Sequence, residues 1–234
     1  MNLFYSHNLL ESNILPEEES AHAIRVLRLK CGDEIEIIDG KGLLCKAKIT
    51  LENPKRCEFQ IIEKIFIEKN RNFDLHIAIA PTKGIDRFEW FVEKATEIGI
   101  GKITPLLCQF SERKTLKTER LEKIIISACK QSQRFYFPKI EELTNFETFI
   151  KQTENSNSQK FIAHCYPTEK PFLKNICLPA KDTIILIGAE GDFSRDEIAR
   201  AEKYGFVSVS MGDSRLRTET AGIIACATFE SVNQ

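Results

Sequence analysis

The sequence predicts an α/β protein in two parts, a small strand-rich module over residues 1–70 and a larger domain over residues 73–234 in which parallel strands alternate with helices. Three observations carry this reading. The first seventy residues alternate apolar and polar side chains with a period of two. After a polar break at Lys69-Asn70-Arg71-Asn72, short and nearly continuous apolar runs are separated by helical patterns, as in strands buried on both faces. Two of the later runs end in glycine-containing turns that open helices.

In the first module, "PEEESAHAIRVLRL" (16–29) reads as a short helix with Ala23, Val26 and Leu27 inward and Arg25 and Arg28 outward. Ile35, Ile37, Leu43, Cys45, Ala47 and Ile49 then recur with period two on either side of Asp39-Gly40-Lys41-Gly42, which makes a β-hairpin. "RCEFQIIEKIFIE", after Asn53-Pro54, adds a further strand. In the second part, strands are expected at 73–81, 102–108, 160–165, 183–190 and 206–212. A helix over 85–98 places Ile85, Phe88, Val92, Ala95 and Ile98 on one stripe and stops at Gly99. Another over 118–134 buries Leu121, Ile124, Ile125 and Ala128, and a closing helix presents Ile223, Ile224 and Ala227 as its apolar face.

Composition narrows the classes. The 234 residues are 42% hydrophobic and 29% charged, with no apolar stretch near the ~20 residues that a spanning helix needs. No basic-then-apolar leader is present, so a soluble, cytoplasmic protein with no membrane partner is expected. The eight cysteines form no CxxC pair and do not cluster with the four histidines, so they are expected to be reduced core residues, with no metal site. The net charge of −1 is unevenly spread. Residues 111–139 carry eight bases against three acids, a local excess that reads either as a solvated helix face or as a phosphate-contacting patch.

Two loops stand out. "IILIGAEGDFSRDEI" (184–198) runs from a strand through Gly188-Ala189-Glu190-Gly191 into a helix whose start is marked by the capping-box spacing of Ser194 and Glu197. "FVSVSMGDSRLRTETAGIIACATFESV" (206–232) repeats that arrangement, with a turn at Gly212 and with Arg215 and Arg217 in the loop before the closing helix. Ligands of α/β sheets sit at such carboxyl strand ends. The arginines read either as partners of Glu190 or Glu219 or as holders of an anion. Neither GxGxxG nor GxxxxGK[ST] occurs, so the usual dinucleotide and phosphate loops are absent. His164-Cys165, at another strand end, has no positioned partner that would make a nucleophile. Lys83 and Arg87 lie just past a strand end, and Gln131 and Arg134 close the basic helix. Trp90 fits a core or dimer contact.

The segments "KGIDRFEWFVEKATEIGI", "ACKQSQR", "IGAEGDFSRDEI" and "MGDSRLRTETA", in this order, resemble the bacterial 16S ribosomal RNA uracil-N3 methyltransferases of the SPOUT class. The likeness extends to "HAIRVLRLKCGDEIEIIDGKG", which looks like that family's PUA-like RNA-binding β-barrel. It implies an N-terminal PUA-like barrel, a C-terminal α/β domain with a deep trefoil knot, S-adenosylmethionine as methyl donor, a homodimer, and 16S rRNA, within the small ribosomal subunit, as partner. Carried over by motif position, the cofactor loops are His164 and Cys165; Gly188, Ala189, Glu190 and Gly191; and Met211 and Gly212 with Leu216, Arg217, Thr220 and Ala221. Arg217 is the expected stabiliser of charge on the uracil, assisted or oriented by Arg215 or Glu219. Arg25, Arg28, Lys83, Arg87, Arg113, Lys114, Arg120, Lys123, Gln131 and Arg134 are the expected RNA contacts. The chain departs from the family's pattern in Ala189 for a proline, in Asp192 for a glycine, and in Ser214 for an arginine that stands one place later as Arg215.

Overall fold

A computed structural model describes residues 2–234 and divides the chain into two units, one comprising the stretch up to Asn70 together with Cys129–Phe137, the other Arg71–Ala128 with Pro138–Gln234. The first unit holds a four-stranded sheet in the order β1 (Leu3–Tyr5), β2 (Glu34–Ile38), β3 (Leu43–Leu51), β4 (Glu58–Phe66). β2 and β3 form the expected hairpin, with Ile37 opposite Cys45 and Ile35 opposite Ala47. All the period-two residues named above are buried, together with Phe4, Leu9, Leu15 and Phe59. The alternation works because one face of this sheet meets a core and the other meets water.

Residues 129–137 complete the first unit from far along the chain. Phe137 donates its amide to the Gly40 carbonyl at 2.9 Å, Tyr136 donates its hydroxyl to Ile67 O at 3.0 Å, and Lys130 ion-pairs Glu19 at 2.6 Å. Gly40, at φ 74°, has no room for a side chain, since a Cβ would stand 2.8 Å from the Phe137 ring.

The segment 16–29 corrects one expectation. It forms α1 (Glu17–Ala21), passes into one π-helical turn (His22–Val26), and ends at Arg28 with φ 57°. Ala23 is fully buried as expected and Arg25 and Arg28 point outward, but Val26 is 65% exposed and Leu27 38% exposed. The wider π turn rotates these two residues off the face that a regular 3.6-residue helix would bury.

The second unit is built on a fully parallel sheet in the order β11 (Val207–Val209), β9 (Gln159–Ala163), β10 (Thr183–Ile187), β5 (Leu75–Ile79), β6 (Lys102–Leu107), β7 (Lys139–Ile140), with β8 (Thr144–Asn145) also on β6. All five expected strands are present. Its helices are α2 (Ile85–Ile98), α3 (Thr118–Ser132) as far as Ala128, α4 (Phe146–Gln152), α5 (Leu173–Ile176), α6 (Arg195–Lys203) and α7 (Thr218–Val232). α2 ends at Gly99 with φ 118°, and α6 starts with the full capping box of Ser194 and Glu197. Leu121, Ile125 and Ala128 of α3 are buried and Ile124 is half-buried. Among the described residues no helix is long and apolar enough to cross a membrane.

Two further expectations are corrected. α7 buries Gly222, Ala225, Cys226 and Phe229 rather than the Ile223, Ile224, Ala227 face. The helix is apolar nearly all round, so periodicity does not choose its inner side; close packing on α2 does. A Cβ on Gly222 would lie 2.5 Å from Phe91. Of the eight cysteines, all free, Cys31 and Cys165 are exposed, because each lies in a loop past the layer its flanking strands bury. Trp90 is 44% exposed and so lies outside the core.

Two expected outcomes follow from this packing. Gly222→Ala overpacks the α2–α7 contact and lowers stability by about 1–3 kcal/mol, read as a lower urea midpoint with an unchanged m-value. His76 on β5, with Nε2 2.8 Å from Thr104 Oγ1, is held neutral by burial down to about pH 3, helped by Lys102. The unfolded chain takes up that proton near 6.5, so its contribution to stability is complete above pH 6.5 and is lost as the pH falls toward 3. The loss approaches roughly 4–5 kcal/mol, and His76→Asn should show a correspondingly shallower acid limb in denaturation.

Candidate functional site

The parallel sheet is covered on both faces, so its strand ends are where backbone and polar side chains meet solvent. β11, β9 and β10 are neighbours, which brings the three loops that follow them together. They enclose a cavity of about 530 Å³. His164, Cys165 and Lys170 line it from the first loop, Gly188, Ala189, Glu190 and Asp192 from the second, and Met211, Gly212, Arg215, Leu216 and Arg217 from the third, with Ala221 from α7. The cofactor residues that the resemblance implies line this cavity, apart from Gly191 and Thr220.

Asp192 ties the first two loops. It sits at φ 69°, where Asp is tolerated and glycine is at ease. Its Oδ2 accepts the Cys165 amide at 2.7 Å, its Oδ1 accepts the Phe193 amide at 2.8 Å, and its own amide donates to Ala189 O at 2.9 Å. Thr218 ties the second loop to α7 by donating its hydroxyl to Gly188 O at 3.1 Å. Gly188 itself cannot carry a side chain, since a Cβ would lie 2.9 Å from the Asp192 carbonyl carbon.

His164 is buried, with Nε2 3.1 Å from Ser208 Oγ, which donates in turn to Glu202 at 2.8 Å. On its other side Nδ1 lies 3.4 Å from Lys170 Nζ. Burial first, and Lys170 second, lower its pKa, so the ring is neutral and serves as a wall. Partial burial and then Asp192 push the Cys165 thiol up, so it stays protonated and gains no nucleophilic character.

Arg215 and Arg217 are exposed on the third loop, and neither has an ion-pair partner among the described residues. Both carboxylates that a structural reading offers them are engaged elsewhere. Glu190 accepts the Lys83 amide at 2.8 Å, and the buried Glu219 faces Arg87 Nε at 3.9 Å with its Oε2 unpartnered. Glu219, Thr220 and Gly191 do not line the cavity. The structure therefore leaves two uncompensated guanidinium groups over a pocket.

The expected RNA contacts separate into kinds. Arg113 donates from Nε to Thr82 O at 3.1 Å and from Nη2 to Lys83 O at 2.6 Å, bracing the loop that Glu190 also holds. Lys83 pairs with Glu112 at 2.8 Å and Arg120 with Glu89 at 2.6 Å. Lys114 and Lys123 are exposed. Arg25, Arg28, Gln131 and Arg134 belong to the first unit, where Arg25, Arg28 and Gln131 are exposed and Arg134 is half-buried. A larger cavity, about 630 Å³, opens at the opposite strand ends, but its charges are satisfied internally: Lys102 and Lys139 pair with Glu141 at 2.8 and 2.9 Å.

A sequence model of the RNA methyltransferase domain matches residues 69–230, and one of the RNA methyltransferase PUA domain matches residues 15–62. The ribosomal RNA small subunit methyltransferase E of Buchnera aphidicola subsp. Acyrthosiphon pisum is 31% identical over 224 residues, covering 93% of this chain and 87% of its own. The chain belongs to the ribosomal RNA small subunit methyltransferase E family. Among solved structures, a probable rRNA-methyltransferase from Porphyromonas gingivalis matches with a TM-score of 0.94 at 37% identity, covering 100% of this chain and 98% of that one. The ribosomal RNA small subunit methyltransferase E from Neisseria gonorrhoeae, bound to S-adenosyl methionine, matches with a TM-score of 0.88 at 26% identity, covering 100% and 98%.

For a methyltransferase E family member, sequence reasoning missed three supports of this site: Lys170, Thr218 and the tether made by Asp192. Only the last had a visible signal, an Asp in a position where the turn calls for glycine. Asp192→Gly keeps the backbone conformation while freeing the Cys165 amide. We expect faster hydrogen exchange at Cys165 and a stability loss of roughly 1.5–3 kcal/mol, the worth of hydrogen bonds to a charged acceptor.

Proposed function

We propose that this protein transfers a methyl group from S-adenosylmethionine to N3 of one uridine in 16S rRNA. The observation that carries the reading is the three-loop cavity with two unpaired arginines at its edge, in a chain of the methyltransferase E family. The lining fits this cofactor. Ile187, Ala189, Met211, Leu216 and Ala221 offer apolar surface to an adenosine, and Glu190, Asp192 and Asp213 bring negative charge to a cavity that would hold a sulfonium.

When bound, the cofactor supplies an electrophilic methyl that the uracil nitrogen takes in one displacement. The protein's part is alignment and charge. As N3 gives up its proton to water, negative charge spreads onto the ring carbonyls, and the Arg217 guanidinium stabilises it. Arg215 assists from the same loop. Glu219, buried at the first turn of α7 beside Arg87, acts as an orienting group.

RNA is held by exposed Lys114 and by Arg25, Arg28, Gln131 and Arg134 on the first unit. Arg87, Arg120, Lys83 and Lys123 add to the RNA contacts, the first three while paired with Glu219, Glu89 and Glu112, and Arg113 contributes by bracing the loop that carries Lys83. The active form is a homodimer, for which exposed Trp90 on α2 and Ile224 on α7 supply apolar contacts. The knot implied by the resemblance is supported by β10, which enters the sheet between β9 and β5. The substrate is the small ribosomal subunit, in the cytoplasm.

The test is methyl transfer from labelled cofactor to small subunits and to free 16S rRNA from cells lacking this activity, with reverse transcription of the product. A single new stop at one uridine is expected, because N3 methylation blocks the pairing edge. Arg217→Ala should raise the barrier by about 2–4 kcal/mol in single turnover, roughly 30- to 1,000-fold in rate. A loss under threefold with cofactor affinity intact removes Arg217 from the chemistry. No methyl incorporation by folded protein would favour an idle RNA-binding factor.

A further inference from the structure

The wall of the cavity formed after β9 holds a cation that the proposed chemistry does not use. Lys170 lines the cavity and is half-buried. Its ammonium donates to the Tyr166 carbonyl and approaches His164 Nδ1 at 3.4 Å. Both partners are neutral, and Lys170 makes no ion pair among the described residues. An ammonium has three donors, so one is left for a ligand.

The position is built rather than incidental. Ser210 donates its amide to Pro171 O at 2.9 Å and Leu173 donates to Ser210 O at 3.0 Å, which straps the loop carrying Lys170 to the segment after β11. The Tyr166 ring, whose backbone accepts from Lys170, is clamped between His164, 5.8 Å away, and the Arg195 guanidinium, 5.4 Å away. His164 is fixed from behind by Ser208 and Glu202. A positive charge held against neutral groups in a partly dry wall favours an anion more than an exposed arginine in water does.

Building on the cofactor reading above, we propose that Lys170 is the specificity residue for the amino-acid end of the cofactor and binds its α-carboxylate, the only anionic group that S-adenosylmethionine carries. Arg215 and Arg217 are thereby left to the RNA base. A phosphate of the RNA is the other source of such an anion, and the experiment separates the two.

Calorimetric titration of the full chain uses S-adenosylhomocysteine, which has the carboxylate, and 5′-methylthioadenosine, which lacks the amino-acid end. Lys170→Met should weaken the first by roughly ten- to hundredfold, the range of a charge-assisted hydrogen bond, and leave the second within twofold. Lys170→Arg should restore most of the loss. Equal weakening of both ligands would overturn the proposal by showing a purely structural role, as would unchanged affinity for S-adenosylhomocysteine. A loss confined to binding of an rRNA fragment without cofactor would assign the anion to phosphate and overturn it as well. A wild-type chain that binds neither nucleoside refutes the cofactor reading itself, a result no Lys170 variant produces.

Discussion

The Asp192 carboxylate accepts the amides of Cys165 and Phe193 at once, and through it the loop after β9 is held against the loop after β10. Everything proposed for the pocket rests on that closure. The sheet places three strand ends side by side, but adjacent ends do not make a cavity unless the loops beyond them have fixed conformations. Asp192 fixes two, and the Thr218 hydroxyl on Gly188 O fixes the second against the helix that carries Arg217 at its start. A carboxylate is well suited here, since its two oxygens can accept from both loop amides at once and hydrogen bonds to a charged acceptor are the stronger kind.

Charge bookkeeping changes the meaning of the basic segment at 111–139. Many of its cations already have structural work: Arg120 lies on Glu89, Lys130 on Glu19, Lys139 on Glu141, and Arg113 on two backbone carbonyls. The local excess of positive charge is real in the sequence, yet much of it is consumed before any ligand arrives. By contrast Arg215, Arg217 and Lys170 have no carboxylate partner among the described residues, and all three line one cavity. Position and lack of a partner identify a binding group better than the density of like charge along a chain.

Much of this was legible in the sequence, for reasons that also explain the failures. The hairpin of β2 and β3 was readable because alternation reports a sheet with one wet face, and α2 because Gly99 marks its end and its apolar stripe is narrow. The starting point of α6 was readable from its capping box. The buried side of α7 was not, because a helix apolar on several faces carries no phase information. Val26 and Leu27 were misplaced because a single π turn has no signature in residue type and shifts everything after it. At the site, the loops were evident from glycines and strand ends, whereas the duties of Arg113, Glu219 and Lys170 depend on partners more than twenty residues away or on loop conformation.

The return of Cys129–Phe137 to the first unit has a consequence for how the chain is made. Synthesis releases the N-terminus first, but the sheet that it forms lacks Tyr136, Phe137 and Lys130 until well over half of the polypeptide has emerged. The last contacts of the module therefore wait on β5, α2, β6 and most of α3 being present. Cutting the gene after residue 70 would yield a fragment whose Gly40 carbonyl, Ile67 carbonyl and Glu19 carboxylate lack the partners that residues 130–137 supply.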